Sequence, residues 1–238
     1  MVLLFLLLPV FFLSCSSNNV TVDKSLQGYF DSAGVKGTFG MFDNGHGHFT
    51  IYNLPRFSDS FYTPGATFDV LQSLIAIQNG VVKDDSVGVI PFSQLASRIG
   101  KDTLRKWIDS LQYGNKKMGD SLEFWADGSL RINADQQLGL LKKLYFNQLP
   151  FFERTQGIVR RMMASESNSL YRLSYKTAME REDGRAVGWA MGWIEENKHP
   201  YFFVVNLEST DPTKDLQKTG LEIAKKILRG QGFFEGKK

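Results

Sequence analysis

Tyr62-Thr-Pro-Gly-Ala-Thr-Phe-Asp-Val-Leu-Gln-Ser-Leu-Ile-Ala-Ile-Gln-Asn-Gly80 is the stretch around which this chain is organised. Pro64 and Gly65 break the segment before them, so a helix begins at about Ala66. Phe68, Val70, Leu71, Leu74, Ile75 and Ile77 leave almost no polar stripe, which marks a helix covered on most sides. Asn79-Gly80 ends it, because glycine takes the left-handed C-terminal turn without strain. Ala66 opens this helix, and Asp69 follows one turn later on the same face. A lone carboxylate at the mouth of an apolar helix has to face water, a partner or a site.

Working outward, Gly37 to Asp43 and Gly47 to Asn53 read as two strands around Asp43-Asn-Gly45, a strong hairpin signal. From about residue 81 to 165 the period is helical. Phe92, Leu95, Ala96 and Ile99 form one face, and Leu104, Trp107, Ile108 and Leu111 form the next. Asn133-Ala-Asp-Gln136 has the form of a capping box ahead of Leu138, Leu141, Leu144 and Tyr145. After Asn168 the pattern changes to strands over Tyr171–Thr177, Ala186–Ile194 and Tyr201–Leu207, with turns at Asp183-Gly184 and Asn197. Asp211-Pro212 opens a last helix whose Leu216, Ile223 and Ile227 face inward. The predicted fold is α/β of the α+β kind: a mostly antiparallel sheet flanked by helices, plus an all-helical lobe.

The first residues, Met1 to Leu13, form an apolar run that is short for a membrane span of about 20 residues. Its Leu13-Ser-Cys15 ending resembles a bacterial lipoprotein signal, although basic residues are absent from its start. On this reading residues 1–14 are a signal peptide, Cys15 carries lipid, 15–25 is a tether, 26–230 is one domain and 231–238 is a tail. Cys15 is the single cysteine, so no intrachain disulfide can form. Net charge is +3, from 28 basic and 25 acidic residues dispersed along the chain. That distribution gives no basic stripe for nucleic acid. His46 and His48 share one face of a strand, but no set of Cys, Asp or Glu with ligand spacing accompanies them, so they read as turn histidines. No cofactor is expected.

Pro64-Gly-Ala66-Thr-Phe-Asp69, followed by Ser73-Leu-Ile-Ala and Gly80-Val-Val-Lys-Asp, resembles the active-serine helix of class D β-lactamases. The resemblance continues in order through Tyr113-Gly-Asn115, Phe124-Trp-Ala-Asp-Gly-Ser-Leu-Arg-Ile132, Glu153-Arg-Thr-Gln-Gly-Ile-Val-Arg160, Tyr175-Lys-Thr-Ala178 and Val187-Gly-Trp-Ala-Met-Gly-Trp193. It implies the fold of that family and of penicillin-binding transpeptidases. It also implies that the chemistry is missing. The family carries Ser-Thr-Phe-Lys where this chain has Ala66-Thr-Phe-Asp69, so the serine nucleophile and the carboxylated lysine base are both replaced. The family's Ser-x-Val falls on Val87-Gly-Val89, and Ala178 replaces the glycine of Lys-Thr-Gly. Between Lys83 and Pro91 the chain is shorter than the family.

The resemblance leaves a binding frame. It assigns an oxyanion hole to the backbone N–H groups of Ala66 and Met179 and carboxylate recognition to Lys176 and Thr177; Trp125 either bonds Asp69 or, like Tyr113, is a core residue. Tyr113 and Asn115 belong to the same frame. The expected protein is a catalytically inactive envelope lipoprotein that binds a β-lactam, a peptidoglycan fragment or an envelope protein without covalent chemistry. Two alternatives are a hydrolase in which Asp69 activates water, and a structural scaffold with no small ligand.

Overall fold

The computed structural model describes residues 19–83, 90–182 and 184–238. Strands β1 (Val20–Val22), β2 (Lys36–Asp43), β3 (His48–Tyr52), β4 (Ala164–Ser167), β5 (Tyr171–Glu182), β6 (Arg185–Glu196) and β7 (His199–Ser209) form one sheet in the order β1-β3-β2-β7-β6-β5-β4. Every neighbouring pair is antiparallel except β1 with β3. The β2–β3 hairpin turns where Asn-Gly predicts it, and Asp43 fixes the turn by accepting from the backbone N–H of Gly45 at 2.8 Å and of His46 at 3.2 Å.

The strands that read as continuous apolar runs are covered on both faces, so each face takes every second residue. On β6, Val187, Trp189, Met191 and Trp193 face one core, while Ala186, Ala190 and Ile194 face the other. The second core is closed by α1 (Gln27–Ala33) and by α8 (Leu216–Gly230). The first is closed by the remaining helices: α2 (Leu54–Ser58), α3 (Asp69–Gln78), α4 (Phe92–Ile99), α5 (Lys101–Ser110), α6 (Ala134–Tyr145) and α7 (Glu153–Met162). Leu71, Leu74, Ile75 and Ala76 of α3 are wholly buried. Each larger side chain among them contributes about 1.5–3 kcal/mol by leaving water.

Several boundaries differ from the sequence reading. The central helix opens with a tighter 3-10 turn over Gly65–Phe68, and the α-helix starts at Asp69. Val20–Val22, read as part of a tether, pairs in parallel with β3. Ala164–Ser167, at the end of the helical stretch, is the edge strand β4. Asn133 caps α6 by accepting from the Gln136 N–H at 2.9 Å, but the Gln136 carbonyl oxygen has no partner, so only half of the capping box forms. The last helix starts at Leu216 under an Asp215 cap. Asp211 does not open it, because its carboxylate is taken by the Thr213 N–H at 2.9 Å and hydroxyl at 2.7 Å. Residues 231–238 pack onto the domain. The buried Glu196 carboxylate accepts from the backbone N–H groups of Phe234, Lys237 and Lys238, and Phe233 enters the second core. Cys15 and the apolar run before it lie outside the described residues, as do Val87 and its neighbours. No helix among the described residues is long and apolar enough to cross a membrane.

Candidate functional site

The 3-10 turn of Gly65–Phe68 lies against β5, and this approach builds the site. Gly65 has φ +53°, and a Cβ there would come within 2.6 Å of the Glu180 side chain, so only glycine lets the turn sit so close to the strand. The turn is fastened from the other side as well. The Gly65 N–H donates to the Trp125 carbonyl at 2.9 Å, and Tyr62 forms a β-bridge with Ile132.

On β5 the pleat sends Lys176, Ala178 and Glu180 toward the turn, and Lys176 reaches Asp69. Its ammonium donates to Asp69 Oδ2 at 2.6 Å, with 9% of the Asp69 side chain and 28% of the Lys176 side chain exposed. Burial pushes the Asp69 carboxyl above its ordinary value, against the pull of the Lys176 charge and hydrogen bond. Glu180 is raised too, by burial first and then by the Glu123 and Asp69 carboxylates. The pair opens onto a cleft of about 220 Å³ walled by Val70, Phe92, Val159, Met162 and Met163. Ser73, one turn beyond Asp69, supplies the one hydroxyl on its wall among the described residues.

Of the expected site residues, only Asp69 and Lys176 line this cleft. Ala66 is half-buried at the turn above it and presents a methyl group. Trp125 does not bond Asp69; its ring stacks on Phe68 at 5.3 Å and 19°. Tyr113 lies under the turn, edge-on to Phe68 at 5.7 Å. Its hydroxyl sits beside the Gln137 amide, yet neither it nor the Gln137 oxygen has a partner of good geometry, and burial pushes its pKa up. Asn115 is a loop staple: its amide donates to the Ser129 carbonyl at 2.9 Å and accepts from the N–H groups of Arg131 and Lys117 at 3.0 and 3.1 Å. Thr177 shares the pleat face of Tyr175 and Met179, and Met179 packs into the second core, so the side chains of Thr177 and Met179 point away from Asp69. Ala178 is wholly buried.

The histidines take no part. His46 pairs with Asp43 at 2.7 Å, and His48 lies 2.9 Å from the Thr21 hydroxyl. No group of His, Cys, Asp and Glu among the described residues could hold a metal ion. The nearest hydroxyl to Ala66 along the chain, on Thr67, is committed elsewhere: it donates to the Pro64 carbonyl and accepts from the Gln137 amide, both at 2.7 Å.

The sequence reading missed Ser73, Phe92, Val159, Met162, Met163 and Glu180. Their signal was the ordinary periodicity of core residues, which carries no mark of a site. The arrangement holds an ion pair at the base of a small, largely apolar cleft, with a methyl group at position 66 and Ser73 as the one hydroxyl on its wall among the described residues.

Three comparisons bear on this geometry. The penicillin binding protein transpeptidase domain family matches residues 86–229. The chain is 31% identical to β-lactamase OXA-20 of Pseudomonas aeruginosa, over 84% of this chain and 85% of that one. It is 29% identical to β-lactamase OXA-48 of Klebsiella pneumoniae, over 87% and 88%. Among solved structures it superposes on the C-terminal domain of the Bacillus licheniformis BlaR penicillin-receptor with a TM-score of 0.82 and 26% identity, over 91% of this chain and 98% of that one.

Proposed function

Because the chain belongs to the class D β-lactamase and penicillin-binding transpeptidase family, we propose that it is a non-acylating member, a receptor-like domain held at the bacterial envelope by lipid on Cys15. The observation that carries this reading is the Asp69–Lys176 pair at 2.6 Å beneath Ala66. Ala66 and Asp69 stand where the motif of the resemblance has its serine and lysine. A methyl group cannot attack a carbonyl. Loss of a catalytic serine alone costs up to about a millionfold in turnover.

The same pair speaks against an Asp69-activated water. Burial raises the Asp69 pKa, but the Lys176 ammonium occupies Oδ2, so that oxygen is not open to take a proton from water. It also changes what the cleft can bind. Lys176, the cation expected to meet a ligand carboxylate, is already neutralised. At about 220 Å³ the cleft falls below the roughly 300–1,000 Å³ of ordinary small-molecule sites. Recognition is therefore non-covalent and confined to one end of a β-lactam or peptidoglycan fragment. The shared architecture with a penicillin-receptor domain supports a receptor role over a bare scaffold.

The test is the intact mass of the protein after incubation with excess benzylpenicillin. The expected result is no adduct, with slow acylation in the Ala66→Ser, Asp69→Lys double variant. A stoichiometric adduct on the unaltered protein, mapped to Ser73 or Thr67, would overturn the proposal.

A further inference from the structure

The face of β5 that carries Lys176 continues away from the small cleft toward the β4 edge. There it becomes the floor of a second cavity of about 650 Å³, which shares Met163 with the cleft and is otherwise separate.

Strand register dictates this floor. Ser165 lies opposite Ser174 and Ser167 opposite Arg172 on the β4–β5 pair. Across β5–β6, Arg172 lies opposite Glu195 and Ser174 opposite Trp193. Directly paired residues share a face, so three hydroxyls and a guanidinium lie side by side.

Helix α7 forms the wall. The terminal nitrogens of Arg161 and Arg160 come within 3.6 and 3.8 Å of the point where a side chain on Gly157 would begin. Two guanidiniums thus converge over a position that has nothing to place between them. One Arg160 nitrogen is spent on the Leu144 and Tyr145 carbonyls and the Asn147 amide oxygen, at 3.0, 2.7 and 2.6 Å. The other nitrogen is the one turned toward Gly157. Among the described residues neither Arg161 nor Arg172 has an ion-pair partner. The single carboxylate on the lining, Glu195, accepts from the Tyr145 hydroxyl at 2.6 Å. Three arginines against one carboxylate leave the lining at +2 (3 − 1). Three like charges gathered around a single carboxylate repel on balance, and an anion seated among them removes that repulsion.

We propose that this cavity binds a small phosphomonoester, with its phosphate held by Arg160, Arg161 and Arg172 and by the serine hydroxyls of the floor. The uncharged part of the ligand lies against Trp193 and the Tyr145–Glu195 pair, where Glu195 accepts from a ligand hydroxyl. Phosphate fits better than carboxylate because donors approach from wall and floor together. A planar carboxylate offers two oxygens to such a set, whereas phosphate offers three around a tetrahedral centre. The volume suits a ligand of this size. The site is independent of the chemistry at Ala66.

The experiment is isothermal titration of the full-length protein with glucose 6-phosphate, glucose, inorganic phosphate and succinate. Glucose 6-phosphate should bind one-to-one and be displaced by inorganic phosphate, while glucose should give no heat. Arg161→Ala and Arg172→Ala alter exposed side chains, and each should weaken binding about tenfold, as expected for one charged hydrogen bond. Gly157→Asp, which puts a carboxylate between the two guanidiniums, should abolish binding; the unfolding curves of all three variants establish that they fold. No heat with glucose 6-phosphate at millimolar concentration would overturn the proposal, as would binding that survives all three substitutions. Succinate binding as tightly as glucose 6-phosphate would overturn the phosphate assignment.

Discussion

Removing either half of the Asp69–Lys176 pair should have unequal consequences, because the two side chains are unequally buried. Lys176→Met keeps most of the aliphatic stem and removes the ammonium. It leaves Asp69, with 9% of its side chain exposed, as a buried carboxylate without its partner. Breaking a buried pair in this way costs roughly 3–5 kcal/mol, and the partial exposure of Lys176 puts the expectation at about 3 kcal/mol. For a domain of this size that is a fall in Tm of roughly 6–12 °C. Asp69→Asn leaves Lys176 instead, whose side chain is 28% exposed. Its cost should be near 1 kcal/mol. The pH dependence follows from the direction of the Asp69 shift. Its folded pKa already lies above the ordinary carboxylate value and rises further without Lys176. Between the unfolded and folded pKa the native state binds more protons than the unfolded chain, so stability falls as pH rises through that window. The destabilisation by Lys176→Met should therefore be small near pH 4 and reach its full size above the folded pKa. Thermal and urea unfolding of wild type, both single variants and the double variant at several pH values measures this. A Lys176→Met loss independent of pH, or an Asp69→Asn loss as large as that of Lys176→Met, would refute the reasoning.

Asn115→Ala removes one donated and two accepted hydrogen bonds from the loop beside the site, and should lower urea stability by about 2–3 kcal/mol. Gly192→Ala places a methyl 2.1 Å from the Ser174 carbonyl inside the β5–β6 pair and should prevent folding, seen as loss of soluble protein. Gly139→Ala, within α6 with nothing inside 4 Å of the new methyl, should instead raise stability by up to about 1 kcal/mol in the same assay. Glu196→Gln weakens the carboxylate that gathers the N–H groups of residues 234, 237 and 238, and should speed hydrogen exchange of that segment while leaving the central strands protected.

What could be read from sequence was what local periodicity encodes. The alternation in β2, the Asn-Gly turn, the continuous apolar runs of β6 and β7, and the stripe-free α3 each carry their environment in neighbouring residues. β1 was illegible because three residues gain strand character only by pairing with a segment nearly thirty positions on, Val20 with Phe49. β4 follows directly on a helical pattern and is defined by β5. At the site, Asp69 announced itself as a charge interrupting an apolar helix, and the resemblance supplied Lys176. The rest of the frame was less legible. Trp125 read equally as a partner of Asp69 or as a core residue; its ring stacks on Phe68, and no local pattern distinguishes the two uses. The cleft wall is assembled from α3, α4, α7 and β5, so no window of sequence contains it.

Under the proposed reading, Ala66 and Asp69 form one change rather than two. The resemblance implies a carboxylated lysine at 69, an anion on a long stem. Asp69 preserves the sign of that charge on a stem of one carbon, so Lys176 finds an anionic partner there. The pair spares the fold an unpaired ammonium near Phe92. The short stem commits Oδ2 of Asp69 to Lys176 at 2.6 Å. A hydroxyl restored at 66 alone would then lack a base, and a lysine restored at 69 alone would face Lys176 with like charge and lack a nucleophile. On the proposed reading neither residue restored alone returns the chemistry, so the double variant is the one expected to acylate.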